Sequence, residues 1–67
     1  MKSQRVPIKH VATIREVVIR LGPSPRYAIA NELRNVLGVS LKTALDYTLS
    51  ASNEGILKRI GMNLHVV

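Results

Sequence analysis

The seven residues LGVSLKT, from Leu37 to Thr43, form a corner between two segments whose apolar residues recur at helical spacing. Gly38 directly follows the first segment, and glycine is the residue that most often ends a helix in a left-handed conformation. Ser40 precedes the second segment, at the position where a serine side chain caps the free N–H groups of a helix. The sequence therefore predicts two helices joined by a tight turn.

The chain has 67 residues, which is enough for one small domain. A domain of this size buries only about 60% of the surface that its unfolded chain exposes, so its stability is marginal. Cysteine is absent, which excludes disulfides and thiolate metal sites, and His10 and His65 lack the spacing of metal ligands on a helix. We expect no metal and no cofactor, and a homodimer is one way in which so small a domain gains stability.

The residue inventory does not support catalysis. The sequence has neither a cysteine nucleophile nor a glycine-rich phosphate loop, and a chain this short leaves little room for a substrate pocket. The acidic residues, none of which are at the spacing of a catalytic pair, are Glu16, Glu32, Asp46 and Glu54. We therefore predict a protein that is not an enzyme and has no catalytic residues.

Basic residues dominate the charge of the chain. Ten lysines and arginines against four acids give a net charge of +6, which attracts polyanions and makes that attraction sensitive to salt. No apolar run approaches the roughly 18 residues of a membrane-spanning helix, and the polar segment Met1 to Arg5 is unlike a signal peptide. We expect a cytoplasmic protein that contacts nucleic acid and no membrane.

The first two predicted helices precede the corner. The first runs from near Lys9 to Leu21 and ends at Gly22, because the following proline cannot continue it. Its apolar stripe consists of Val11, Ile14, Val17, Val18 and Leu21. For the second helix we predict Ser24 as the N-cap and Pro25 as the first helical residue. Its buried stripe is predicted to consist of Ile29, Leu33, Val36 and Leu37, with Ala30 beside it.

The third predicted helix follows Ser40 and extends to about Asn53. Its apolar face is predicted from Leu41, Ala44, Leu45, Thr48 and Leu49. The opposite, outward face is predicted from Lys42, Thr43, Asp46, Tyr47, Ser50 and Asn53.

The last stretch, GILKRIGMNLHVV, changes from helical spacing to alternation. Two short strands around Gly61 predict a β-hairpin. The alternative is a fourth helix over residues 54–60, because short apolar runs do not separate strand from helix by periodicity alone.

This order of elements resembles the winged helix-turn-helix family. Four successive segments carry the resemblance, namely IREVVIRLGP, SPRYAIANEL, LGVSLKTAL and EGILKRIG. They are similar to the family's support helix, positioning helix, recognition helix and entry into the wing. The resemblance implies an α+β fold over residues 11–67, with three helices and a short C-terminal hairpin, preceded by a basic N-terminal arm over residues 1–10.

The resemblance also implies a function, because the recognition helix of such domains lies in the major groove of DNA. It implies a small sequence-specific regulator of transcription, such as a repressor from a phage or mobile element, that reads double-stranded DNA with residues 40–53. The implied base-reading residues are Lys42, Thr43, Asp46, Tyr47 and Ser50. The implied phosphate-binding residues, which position the protein without reading sequence, are Lys2, Arg5, Lys9, Arg26, Ser40, Lys58 and Arg59.

Other interpretations remain open. The segment ELRNVLGVSLKTALDYTLSA is also similar to the helical hairpin in the C-terminal domain of the bacterial ribosomal stalk protein, which binds translation factors. A polar outer face is equally typical of a solvated helix, on which Lys42 and Asp46 would pair at a spacing of four residues. The alternative function is a basic interaction module that docks on a protein of the transcription or translation machinery, or on RNA, without reading bases.

Overall fold

The computed structural model describes residues 6–67. In chain order its elements are α1 (Ile8–Leu21), β1 (Ser24–Pro25), α2 (Arg26–Leu37), α3 (Leu41–Asn53), β2 (Leu57–Ile60) and β3 (Asn63–Val66). The predicted α+β fold, a three-helix winged helix-turn-helix arrangement with a short C-terminal hairpin, is confirmed. The alternative of a fourth helix over residues 54–60 is wrong, because most of that segment forms β2.

The hairpin formed by β2 and β3 is closed by a two-residue turn, Gly61 and Met62. Gly61 has φ +63°, and no residue other than glycine has a positive φ in the part of the chain that the structure describes. A hairpin turn of type II′ needs a positive φ at its first position, which glycine adopts without steric cost. Gly61 therefore sets both the place and the tightness of the turn.

Strand β1 extends the hairpin to a three-stranded antiparallel sheet in the order β1-β3-β2, with Ser24 opposite Leu64. The prediction that Ser24 caps α2 is wrong, because its Oγ donates to the carbonyl of Gly22 at 3.0 Å. Pro25 is the N-cap residue, with an extended ψ of 153°, and α2 begins only at Arg26. A residue before proline favours extended backbone, and β3 provides Ser24 with a strand partner.

Helix α1 begins earlier than predicted, at Ile8, so residues 8–10 of the predicted arm are helical. The middle of its predicted stripe is confirmed, whereas Leu21 is exposed. The buried residues of α1 are Ile14, Val17 and Val18. Ahead of the helix, Val6 is buried and its N–H donates to Oε2 of Glu54 at 3.4 Å, which attaches this part of the arm to the end of α3.

Helix α2 ends at the predicted corner. Gly38 adopts the left-handed conformation, with φ 70° and ψ 28°, and its N–H donates to the carbonyl of Arg34 at 3.1 Å. The buried residues of α2 are Ile29, Ala30 and Leu33. Leu37 packs against the core from a partly buried position, but Val36 is exposed, contrary to the prediction.

Helix α3 begins after the predicted cap, because the N–H of Thr43 donates to Oγ of Ser40 at 3.2 Å. Its buried face is rotated relative to the prediction, and its buried residues are Ala44, Tyr47, Thr48, Ser50 and Ala51. Leu49 is exposed. Thr48 fits in the core because its hydroxyl donates to the carbonyl of Leu45 at 2.7 Å, so the polar group is not left without a partner.

All three helices and the hairpin share one aliphatic core. Leu57 of β2 and Leu64 of β3 are almost completely buried in the same cluster as Ile14, Ile29 and Leu33. The core therefore fixes the hairpin relative to the helices. Within residues 6–67, no helix is long and apolar enough to cross a membrane.

Candidate nucleic-acid interface

The solvent-facing side of α3 carries two of the five predicted base-reading residues. Lys42 is exposed and Asp46 is half-buried on this side. Thr43 is also half-buried, and its Oγ1 accepts a hydrogen bond from Oγ of Ser40 at 3.0 Å. The N-terminal half of α3 therefore presents the Lys42 cation and the Asp46 carboxylate, whereas the Thr43 hydroxyl is already hydrogen-bonded to Ser40.

The other two predicted readers do not lie on the outer face, and that part of the prediction is wrong. Tyr47 is 7% exposed and Ser50 is 6% exposed. The ring of Tyr47 contacts that of His10 on α1, with 6.0 Å between the ring centroids. The residues Ala44 and Ala51, both fully buried, share this face of α3 and leave space for the large ring. Neither side chain is in a position to reach a base edge.

An open groove of about 570 Å³ lies between α3, the start of α2 and the hairpin. One side is formed by Leu45, Leu49 and Ser52 of α3. The opposite sides are formed by Arg26 and Tyr27 at the start of α2 and by Arg59, Gly61 and Met62 of the hairpin. Pro25, Thr48 and Leu64 complete the lining. The groove thus contains two arginines and no carboxylate.

The hairpin register separates its two predicted phosphate-binding residues. Arg59 is paired with Leu64, which is buried against the helices, so Arg59 lies on the face of the hairpin that turns toward the groove. Its Nε donates to the carbonyl of Gly61 at 3.3 Å. Lys58 is paired with His65 on the opposite face, because successive side chains of a strand alternate.

Tyr27 is a candidate binding residue that the sequence analysis missed. Its side chain is 60% exposed and it lines both this groove and a smaller one along α2. The smaller groove is lined by Tyr27, Ala28, Asn31, Arg34 and Leu41. The signal was present in the sequence, because Tyr27, Asn31 and Arg34 recur at spacings of four and three and so share one helical face.

The arginines around these grooves have no carboxylate partner. Across residues 6–67 the one ion pair joins Arg20 of α1 to Glu32 of α2, at 2.7 Å. Lys42 and Asp46 do not form the pair that a solvated helix would allow. Because the charges of Arg26, Arg34 and Arg59 are not neutralised by neighbours, they are available to an anionic partner.

Of the three cations of the N-terminal arm that were predicted to bind phosphate, the structure describes only Lys9. Lys9 is exposed on α1, and neither groove includes a residue of α1 in its lining. Lys2 and Arg5 lie outside the described residues.

In the part of the chain that is described, no group of three or more histidine, aspartate or glutamate side chains is placed to hold a metal ion.

In comparisons with known proteins, no family model, no curated protein and no solved structure matches this chain.

Proposed function

We propose that this protein binds double-stranded DNA through α3 and the hairpin, as a small regulator of transcription. The observation that carries the proposal is the groove beside α3, which contains Arg26 and Arg59 and no carboxylate. The corner at Gly38 and the cap at Ser40 support it, because they fix where α3 begins and Lys42 is exposed in its first turn.

Base reading is assigned to the first turns of α3, since the N-terminal part of a recognition helix meets base edges in the major groove. Lys42 donates to guanine, and Asp46 accepts from cytosine. Leu45 and Leu49 line the groove beside them and contact thymine methyl groups, which are the apolar feature of the major groove. Thr43 contributes its methyl group, because its hydroxyl is bonded to Ser40.

Phosphate contacts are assigned to the cations around the reading helix. Arg26 and Arg59, which line the groove, contact the backbone there, and Arg34 contacts it from the smaller groove along α2. Ser40 lies at the N-terminus of α3, where phosphates are favoured by the helix dipole. Lys58, on the other face of the hairpin, makes a weaker contribution, and contacts from Lys2, Arg5 and Lys9 add to the non-specific attraction.

The first experiment is fluorescence anisotropy with a random-sequence duplex at several salt concentrations. With about four phosphate contacts, the affinity should fall roughly 100-fold between 50 and 200 mM salt, because each contact releases counterions. Replacing Arg59→Ala should lower the salt slope by about 0.9, whereas the matched control Arg20→Ala removes the same charge from an arginine outside the groove and should leave the slope unchanged. No binding at low salt would contradict the proposal.

A specific observation favours a second candidate function, which is binding of an acidic protein segment in the same groove. Tyr27 is 60% exposed, and Met62, at the tip of the hairpin, is 85% exposed. Aromatic residues, methionine and arginine are the residue types enriched in protein interfaces. If the random duplex does not bind, an acidic peptide with apolar anchors becomes the favoured partner, and its affinity should fall less steeply with salt than that of a duplex, because a peptide has no condensed counterion atmosphere to release.

A further inference from the structure

Tyr27, near the start of α2, lies where the groove beside α3 meets the smaller groove along α2. Its side chain is 60% exposed and is part of the lining of both grooves. The two grooves have volumes of about 570 and 400 Å³, which are within the range of sites that hold small organic molecules. A ligand that extends from one groove into the other therefore passes over the Tyr27 ring.

Arginines are present in both grooves that meet at this ring. Arg26 and Arg59 line the groove beside α3, and Arg34 lines the smaller groove. All three are exposed, and none of them takes part in an ion pair within residues 6–67. Arg34 follows Tyr27 by seven residues, which places it about 10 Å farther along the same side of α2. The ring thus has a cation available in each groove.

The acidic side chains lie elsewhere on the domain. None of the four acids of the chain belongs to the lining of either groove. Glu32 follows Tyr27 by five residues, so it projects about 140° away from the ring, and it is paired with Arg20. Asp46 directly follows Leu45, which lines the groove beside α3, and projects about 100° away from it. The charge that lines the two grooves is therefore positive only.

An exposed aromatic ring in a positively charged groove is the arrangement with which proteins bind unpaired strands of nucleic acid. A base stacks on the ring, and cations along the groove bind the phosphates on either side of it. Inside a duplex both faces of a base are covered by its neighbours, so only an unpaired base is free to stack on Tyr27. An acidic peptide matches the arginines but brings no base to the ring.

We propose that the surface around Tyr27 binds single-stranded DNA or RNA, with one base stacked on the Tyr27 ring and the flanking phosphates bound by Arg26 and Arg34. Asn31 is exposed in the smaller groove, and its amide donates to the base or to a phosphate. The bases and phosphates that make these contacts are common to DNA and RNA. This inference goes beyond the duplex binding proposed above, in which the Tyr27 ring makes no contact.

The test is fluorescence anisotropy of the protein with labelled oligothymidylate and oligouridylate of about 12 nucleotides, which is within the site sizes of single-strand-binding domains. Both should bind, and a preference for one would identify the sugar of the natural strand, because only RNA carries the 2′-hydroxyl. With three arginine contacts, the affinity should fall roughly 20-fold between 50 and 200 mM salt, since each contact contributes about 0.7 to the slope.

Substitutions at the ring test the stacking. Tyr27→Ala should weaken the binding of both oligonucleotides about tenfold, because the stacked base loses its platform, whereas Tyr27→Phe should retain most of the affinity. Ile19→Ala, which truncates a similarly exposed side chain on α1, is the matched control and should bind like the unchanged protein. Circular dichroism should show unchanged helix content for these variants, since both positions are exposed.

Substitutions of arginine test the phosphate contacts. Arg34→Ala should lower the salt slope for the oligonucleotides by about 0.7. Arg15→Ala removes the same charge from an exposed arginine of α1 that lines neither groove, so it should leave the slope unchanged. Equal slopes for the two variants would contradict the assignment of Arg34 to a phosphate.

A parallel titration with the random duplex separates the two proposals. Tyr27→Ala should leave the affinity for the duplex unchanged. Binding of the duplex without the oligonucleotides would overturn this inference alone, the reverse would overturn only the proposed function, and no binding of either would overturn both. Oligonucleotide affinity that is unaffected by Tyr27→Ala, or that is equalled by a glutamate peptide of the same charge, would also overturn this inference.

Discussion

The outer faces of α1 and α3 are both exposed, but they balance their charges in different ways. On α1 two of the three lysine and arginine side chains have an acid nearby, since Arg15 is followed by Glu16 and Arg20 is paired with Glu32. The groove beside α3 contains Arg26 and Arg59 without any carboxylate in its lining. The groove beside α3 is thus the surface where two arginines face each other's side of a cleft with no acid in its lining, and this difference favours the groove over α1 as the place where an anionic partner binds.

The largest effect should come from removing the side chain that holds the hairpin against the helices. Leu57→Ala should lower the free energy of unfolding by about 2–5 kcal/mol, because it leaves a cavity where a leucine is 1% exposed. Urea denaturation measures the change. Met62→Ala, at the exposed tip of the same hairpin, should change stability by less than about 0.5 kcal/mol, and equal losses for the two would show that the hairpin is not anchored through the core.

A change at Lys42 would sharpen the assignment of α3 as the reading element. Lys42→Ala should cost about 1–3 kcal/mol of discrimination at one base position, if this side chain bonds a base edge. The measurement is selection of preferred duplexes from a random pool for the original and the altered protein. The same pool selected with Arg59→Ala should yield an unchanged preference at lower affinity, and a changed preference there would contradict the assignment of Arg59 to phosphate.

The corner that orients α3 depends on the backbone of Gly38. Gly38→Ala should destabilise the protein by about 1–2 kcal/mol, because the φ of +70° is costly for a residue with a Cβ atom. Thermal unfolding followed by circular dichroism measures the loss. Gly38→Asn should lose less, since asparagine tolerates the left-handed conformation. Equal losses of stability for the two variants would mean that the added side chain, and not the positive φ of the backbone, causes the destabilisation.

Removing the Ser40 cap of α3 should also destabilise the protein, but by less than a change at Gly38. Ser40→Ala should cost about 1 kcal/mol, because it removes the acceptor for the N–H of Thr43. Ser40→Asp, which keeps an acceptor and favours the helix dipole, should retain stability but weaken DNA binding by placing a negative charge where a phosphate is proposed. An unchanged affinity for DNA would exclude Ser40 from the interface.

The smallest expected effects compare the two faces of the hairpin. Lys58→Ala should reduce DNA affinity less than Arg59→Ala does, because only Arg59 lies on the face that turns toward the groove. Anisotropy titrations at one salt concentration are sufficient for this comparison. A larger loss for Lys58→Ala would place the duplex on the opposite face of the hairpin.

The sequence was most informative where structure is local. The helix end at Gly38, the cap at Ser40 and the turn at Gly61 each depend on one residue and its immediate neighbours, and all three are confirmed. The two-residue strand β1 was not predictable in this way, because it exists through pairing with β3, which lies far along the chain.

The rotation of α3 was missed for a different reason. Its buried face relies on small residues, Ala44 and Ala51, and on the amphipathic side chain of Tyr47, whereas hydrophobicity alone favours Leu49. The groove and its exposed Tyr27 arise only when α2, α3 and the hairpin are brought together. Local patterns thus predicted the fold and part of the candidate site, while the rest depends on tertiary packing.

The two tyrosines have a practical consequence. The chain contains no tryptophan, so its intrinsic fluorescence comes from Tyr27 in the groove and Tyr47 in the core. A collisional quencher such as iodide should reach the first ring and not the second. A molecule that binds in the groove should shield Tyr27 from iodide. The loss of iodide quenching should therefore report binding in the groove without an added label.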